Sequence, residues 1–196
     1  MSLSFYSLNT DMTKIFTFKH RIAQQSDVGA IMQLMSLSID INMRAFLSSE
    51  QIEANKESMG VDQTLIDDGT YFVVETFNSG QTIMVGCGGW GKRRTLYGGN
   101  HTAGRDDNFA NPEIEAARIR AMYTHPDWTR QGIGSLLLDL GEGAARKAGF
   151  KTIELGSTLP GEPLYLARGY KEVRREERLA ENGHTNTIIK MSKSLG

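Results

Sequence analysis

The stretch that most constrains this chain lies between residues 116 and 148. A β-compatible run over 116–124 leads into a short polar loop, and Gly132-Ile133-Gly134 then opens a long amphipathic segment. The first part predicts a strand. From 132 to 148 the apolar residues Ile133, Leu136, Leu137, Leu140 and Ala144 recur at helical spacing, Arg146 and Lys147 occupy the last turn, and Gly149 follows as a stop. That pattern predicts a helix with basic residues at the negative end of its dipole. A strand feeding a helix through glycines is an α/β unit, and it leaves the unpaired N–H groups of the first helical turn facing the loop. Glycine at 132 and 134 lets an anion approach those donors, and Arg130 adds a charged contact. Arg130, Gln131, Gly132, Ile133, Gly134 and Ser135 therefore read as a phosphate or pyrophosphate seat. A tight turn whose glycines serve backbone shape alone is the competing reading.

The rest of the chain alternates in the same α/β manner. A strand is expected over 15–22, followed by a helix capped by Ser26-Asp27, with Val28, Ile31, Met32, Met35 and Ile39 on one face. A second helix is expected over 49–59, and strands over 70–76 and 81–90 joined by a turn at Phe77-Asn78-Ser79-Gly80. Residues 92–113 are Gly-rich and aperiodic, and a loop of that length in a compact domain is usually functional or mobile. A strand over 152–155, a short helix over 162–168 and closing strands near 171–177 and 187–191, separated by a turn at Gly183, complete the chain. No repeat or linker-like break interrupts residues 13–196, which read as one domain with a mixed sheet, and residues 1–12 read as a flexible arm.

Several function classes fall away on residue content. Lys and Arg (22) nearly cancel Asp and Glu (23), so no global field steers the protein to nucleic acid or an anionic membrane. Cys87 is the single cysteine and the four histidines are scattered, so neither a disulfide framework nor a metal site is expected; Cys87 itself reads as a small core residue. No apolar run reaches the roughly 18 residues of a membrane span, and the start of the chain is unlike a signal peptide, which leaves a cytoplasmic expectation. No P-loop, Gly-x-Ser-x-Gly elbow or His-Glu-x-x-His occurs. Gly86-Cys-Gly-Gly-Trp-Gly91 matches Gly-x-Gly-x-x-Gly literally, but no helical period follows it, so a nucleotide-dependent oxidoreductase is set aside. The better reading is a strand passing close over another element.

Residues 117–135 resemble motif A of the GNAT superfamily, the GCN5-related N-acetyltransferases, whose signature is Gln/Arg-x-x-Gly-x-Gly/Ala. Gly132 and Gly134 match, and the Gln/Arg position holds Thr129, with Arg130 and Gln131 beside it. The run Gly161-Glu-Pro-Leu-Tyr-Leu-Ala-Arg-Gly-Tyr170 resembles the family's later motif, a tyrosine-bearing helix ending in Gly-Tyr/Phe. The resemblance extends over nearly the whole chain. It implies a GNAT-like α/β fold with a mixed, mostly antiparallel sheet of six to seven strands and about four helices. It also implies acetyl-CoA as acyl donor, with no metal, and a small-molecule or peptide amine as acceptor. Main-chain groups around Met122, Tyr123 and Thr124 would pair with the pantetheine arm, in a gap where the strands 120–124 and 152–155 part. Tyr165 falls where relatives place a tyrosine near the thioester sulfur, as general acid. Relatives often carry a glutamate on the strand before the glycines; the comparable positions hold Ala116 and Ala117, so Glu115 is the nearest candidate base. Asp127 and Trp128 are candidates for the edge of the cofactor site, and Trp90, Arg93 and Arg94 for the acceptor pocket. A homodimer is the default assembly. The alternative function is a GNAT-like domain that binds acyl-CoA without catalysis.

Overall fold

The computed structural model describes residues 16–96, 105–180 and 182–196; the expected arm, residues 1–12, lies outside them. Within the described residues seven strands, β1 (Phe18–Ile22), β2 (Tyr71–Asn78), β3 (Gln81–Gly91), β4 (Ala117–Thr124), β5 (Thr152–Ser157), β6 (Lys171–Leu179) and β7 (Thr185–Ser194), form one sheet. Their spatial order is β1-β2-β3-β4-β5-β7-β6. Every neighbouring pair is antiparallel except β4 and β5, which run parallel. Among the described residues five α-helices accompany the sheet: α1 (Val28–Asn42), α2 (Ser49–Ser58), α3 (Gln63–Asp67), α4 (Ile133–Lys147) and α5 (Glu162–Ala167). This is the mixed, mostly antiparallel α/β fold expected from the sequence, with α3 in addition. A helix of five residues is too short to declare a period.

The apolar run Tyr71-Phe72-Val73-Val74 lacks the polar alternation of a half-exposed strand because both faces of β2 are covered. Successive side chains point to opposite sides. Tyr71 and Val73, with Cys87 of β3, pack against Ile31, Leu34 and Met35 of α1. Phe72 and Val74, with Val85 and Ile119, belong to the core beneath Ile133, Leu137 and Leu138 of α4. Two expected faces are rotated. Met32 is 58% exposed and Leu34 takes the core position on α1, because that helix is apolar on most sides and its period alone does not choose a face. On α4, Leu138 is fully buried while Leu136, Leu140 and Ala144 flank the core.

Local chemistry explains the joints. Asp27 does not cap α1 as expected: its carboxylate reaches back to accept from the Gln24 N–H at 2.7 Å and from Arg21 at 2.6 and 2.9 Å, closing the 3-10 turn that leads into the helix. The β2–β3 hairpin turns in two residues, Ser79 (φ 50°) and Gly80 (φ 86°), a left-handed pair suited to the twist of the flanking strands. The glycine run 86–91 lies inside β3 and opens no helix. A Cβ on Gly86 would stand 2.4 Å from Ile133 Cγ2, so glycine here lets the start of α4 settle on the sheet.

Candidate active site

The cleft originates where β4 leaves β5. The two strands pair only at Ala117↔Ile153 and Arg118↔Glu154. Just beyond, Ala121 takes a left-handed conformation (φ 49°). On the other side of β4 the register jumps from Gly89↔Arg120 to Cys87↔Tyr123, one extra residue on β4. This is a β-bulge, which bends the strand that carries it. Past the bulge, Met122, Tyr123 and Thr124 line a cleft of about 280 Å³. Gly156, Thr158, Gly161, Leu164 and Tyr165 form a facing wall, and Ser38, Asn42, Met43, Met59 and Leu96 line it as well. His125 N donates to Val85 O at 2.9 Å, so by strand alternation the main-chain groups of Thr124 turn away from β3 toward the gap. The Thr124 carbonyl accepts a hydrogen bond from Asn42 Nδ2 at 2.8 Å. That narrows the expected pairing at Thr124 to its N–H.

Between β4 and α4 the chain makes a 3-10 turn, Pro126–Trp128, pinned at both ends. His125 Nδ1 accepts from the Asp127 N–H at 3.2 Å, and Thr129 Oγ1 donates to the Pro126 carbonyl at 3.2 Å. Trp128 is buried edge-on against Phe16 (4.5 Å between centroids) and Phe18 (6.1 Å). It anchors the loop in the core and is not at the rim of the cleft. Arg130 (φ 62°) and Gly132 (φ 84°) then both adopt left-handed backbone. Such turns orient successive N–H groups as an anion-binding concavity, and here the turn runs directly into the N-terminus of a 15-residue helix. Arg130, Gln131 and Gly132 are exposed, Gly134 and Ser135 are half-buried, and the Ile133 side chain is buried, leaving its main chain to serve the turn. A Cβ on Gly132 would meet nothing within 4 Å, whereas one on Gly134 would stand 2.7 Å from Leu164 Cδ2. Open space thus lies over Gly132, while glycine at 134 serves the packing of α5 against α4.

A family model described as an acetyltransferase (GNAT) domain matches residues 67–172, more than half of the 196-residue chain. The chain belongs to the GNAT acetyltransferase family. Solved structures agree on the fold. A GCN5-related N-acetyltransferase from Rhodopseudomonas palustris superposes with a TM-score of 0.63 at 18% identity, over 92% of this chain and 98% of the other. The PaiA N-acetyltransferase from Thermoplasma acidophilum, solved in complex with coenzyme A, gives a TM-score of 0.58 at 16% identity over 91% and 99%. The ribosomal-protein-S18-alanine N-acetyltransferase from Escherichia coli gives 0.53 at 16% identity over 92% and 95%. A comparison with curated protein sequences returns no match.

Within this GNAT fold the sequence-predicted residues separate clearly. Tyr165 of α5 is 8% exposed and lines the cleft. Its ring stands edge-on to Tyr170 with centroids 5.8 Å apart, and the Tyr170 hydroxyl donates to buried Glu142 at 3.2 Å. Burial pushes the Tyr165 hydroxyl well above the usual tyrosine range, so it holds its proton. Tyr123, singled out for its main chain, borders the cleft but stands opposite Cys87, so its main-chain groups turn toward β3, and burial raises its hydroxyl in the same way. Glu115 is not brought to the cleft. Its carboxylate takes two hydrogen bonds from Arg94 (2.8 and 3.1 Å) and one from the Asn111 N–H (2.7 Å), and these hold its pKa down to about 2. A carboxylate fixed that way braces a loop and is a poor base. Arg93 is likewise engaged, donating to Asp68 at 2.7 and 2.8 Å, and Trp90 packs edge-on against Phe150 in the core. Leu96 is the part of the 92–113 loop that lines the cleft among the described residues; 97–104 lie outside them.

One structural feature beside the cleft has no signature in the sequence. Arg120, 4% exposed at its side chain, puts Nη2 at 2.6 Å from Asp62, which also lies 3.1 Å from Arg105. Its Nη1 donates to the Thr95 carbonyl at 2.9 Å. The cluster ties the α2–α3 connection, β4 and the 92–113 loop together beside the cleft, and no local pattern pairs residues so far apart in the chain. Among the described residues that line the cleft there is no aspartate, glutamate or histidine. Nor, among the described residues, is any helix long and apolar enough to cross a membrane.

Proposed function

We propose that this protein transfers an acetyl group from acetyl-CoA to a primary amine of a small molecule or peptide by direct attack. The observation that carries the reading is the parting of β4 from β5 immediately before a left-handed glycine turn and the start of α4. A strand that has lost its neighbour offers main-chain groups to an extended, amide-bearing arm such as pantetheine. The turn one loop later, Arg130 to Ser135, offers N–H donors and open space to a pyrophosphate.

The chemistry then needs three things from the chain. Met122 and the Thr124 N–H orient the arm, so that the amine meets the thioester carbonyl already aligned; such positioning is worth about 7–11 kcal/mol in good cases. The amine must be neutral, which costs a lysine-like amine about 4–5 kcal/mol at pH 7. With no carboxylate in the described lining, its proton leaves through water. As nitrogen bonds to the carbonyl carbon and the carbon–sulfur bond breaks, the departing thiolate takes the Tyr165 proton. The proton lost by nitrogen restores the hydroxyl, so the net products are the amide and free CoA thiol.

Free thiol released from acetyl-CoA in the presence of a mixed amine panel tests this. Amine-dependent release that falls about 100-fold in kcat in Tyr165→Phe supports both the reaction and the acid role. Release unchanged in that variant removes Tyr165 from the mechanism. Calorimetric CoA binding with no release from any amine favours an acyl-CoA sensor, and absence of CoA binding ends the proposal.

A further inference from the structure

The β4 bulge is an unusual thing for this sequence to hold. Its left-handed residue is Ala121, which carries a Cβ, and it lies where β4 has already lost the ladder to β5. Strain of this kind persists only where the surroundings over-determine it. The surroundings here are specific. Tyr71, the first residue of β2, is 2% exposed, and its hydroxyl lies 2.8 Å from the Ala121 carbonyl and 3.3 Å from Cys87 Sγ. A phenol has one proton to give. The shorter contact, to the Ala121 carbonyl, takes the larger share of it, and the sulfur of Cys87 is the weaker acceptor beside the same hydroxyl. The bulge carbonyl is therefore held by a hydroxyl that sits between it and Cys87, enclosed in the α1-side core. Three residues on, Asn42 of α1 holds the Thr124 carbonyl at 2.8 Å, and Ser38 Oγ lies 3.1 Å from the same Asn42 nitrogen.

We infer that Tyr71 is a positioning residue for the donor site. Its hydroxyl fixes the bulge carbonyl at one end of the splayed stretch while Asn42 fixes the other end, so that the main chain of Met122 to Thr124 is held in the orientation that receives the acyl-CoA arm. Neither side chain needs to touch the reacting atoms. Both act through β4, and the inference rests on the acyl-CoA reading of the cleft.

Tyr71→Phe removes one oxygen and keeps the ring that fills the core, which makes it the test. CoA affinity by calorimetry is expected to fall about tenfold, and amide hydrogen exchange across residues 121–124 to quicken, while the KM of the amine stays within twofold. A lower melting temperature with CoA affinity and exchange both at wild-type levels would show a purely structural tyrosine and overturn the inference. Should Tyr71→Phe not fold, Asn42→Leu, on the half-buried rim of α1, carries the test: a CoA affinity lowered about threefold supports the two-ended clamp, and an unchanged one removes it. Wild-type protein that fails to bind CoA counts against the acyl-CoA reading itself. Wild-type binding matched by the variants counts against Tyr71 and Asn42 alone.

Discussion

Strand β5 has two neighbours and meets them differently. Toward β7 it pairs along its full length, from Thr152↔Ser194 to Ser157↔Ile189. Toward β4 it pairs at two positions, and the strands then part around a cleft. The β7 side is what a sheet does when register and twist are satisfied. On the β4 side one extra residue, Ala121, bends its strand away, and the carbonyls freed by the parting are taken up by side chains, Tyr71 and Asn42. An opening in a sheet is thus a built feature, because unpaired buried main-chain groups are otherwise costly. The same strand is paired on both sides over its first residues and lines the cleft over its last.

Substitutions at the two ends should separate those roles. In the paired half, Arg118 lies 3.4 Å from Glu154, with both side chains mostly buried. Glu154→Ala leaves that guanidinium without its partner and should lower stability by about 2 kcal/mol, while the KM for acetyl-CoA stays within twofold; chemical denaturation and steady-state kinetics read the two. Beside the open half, Gly132→Val forces a β-branched residue into left-handed backbone and fills the space above the turn. The KM for acetyl-CoA should rise about tenfold, as expected for about 1–2 kcal/mol of strain, and an unaltered KM would remove the turn from the donor site. A pH series follows from Tyr165. A general acid must be protonated, and burial raises its pKa, so the rate with a lysine-like amine should climb with pH as the amine loses its proton, with no falling limb below about pH 10. A decline beginning near pH 8 would point to another acid. The smallest effect is expected of Glu115→Gln: kcat within twofold, because the carboxylate braces Arg94 away from the cleft, and a hundredfold loss would restore it as the base.

What could be read from the sequence divides along the same line. The strand, glycine turn and helix of residues 116–148 were legible because each has a local signature: alternation, Cβ-free positions and a helical period. The hairpin at Ser79-Gly80 and the core placement of Cys87 were legible for the same reason. The bulge was not, since alanine carries no mark of left-handed backbone, and neither was Arg130, whose positive φ is imposed by the turn around it. Helix α3 is too short to show a period, and the buried Asp62–Arg120 pair joins residues that only the fold brings together. Glu115 illustrates the opposite error: proximity in sequence to the glycine motif suggested a base, while Arg94 and Asn111, on the neighbouring loop, had already engaged it.

Cys87, finally, makes the protein its own gauge of opening. It is the single cysteine, 0% exposed, with its thiol pushed up to about 12 by burial. A disulfide reagent should therefore find no reactive thiolate in the native state, and labelling should proceed only as fast as the core between β3 and α1 comes apart. The labelling rate of the unliganded chain, followed against temperature or denaturant, then counts excursions from the native state one molecule at a time. Its slowing on addition of CoA would give the free energy that the ligand contributes to keeping that core shut.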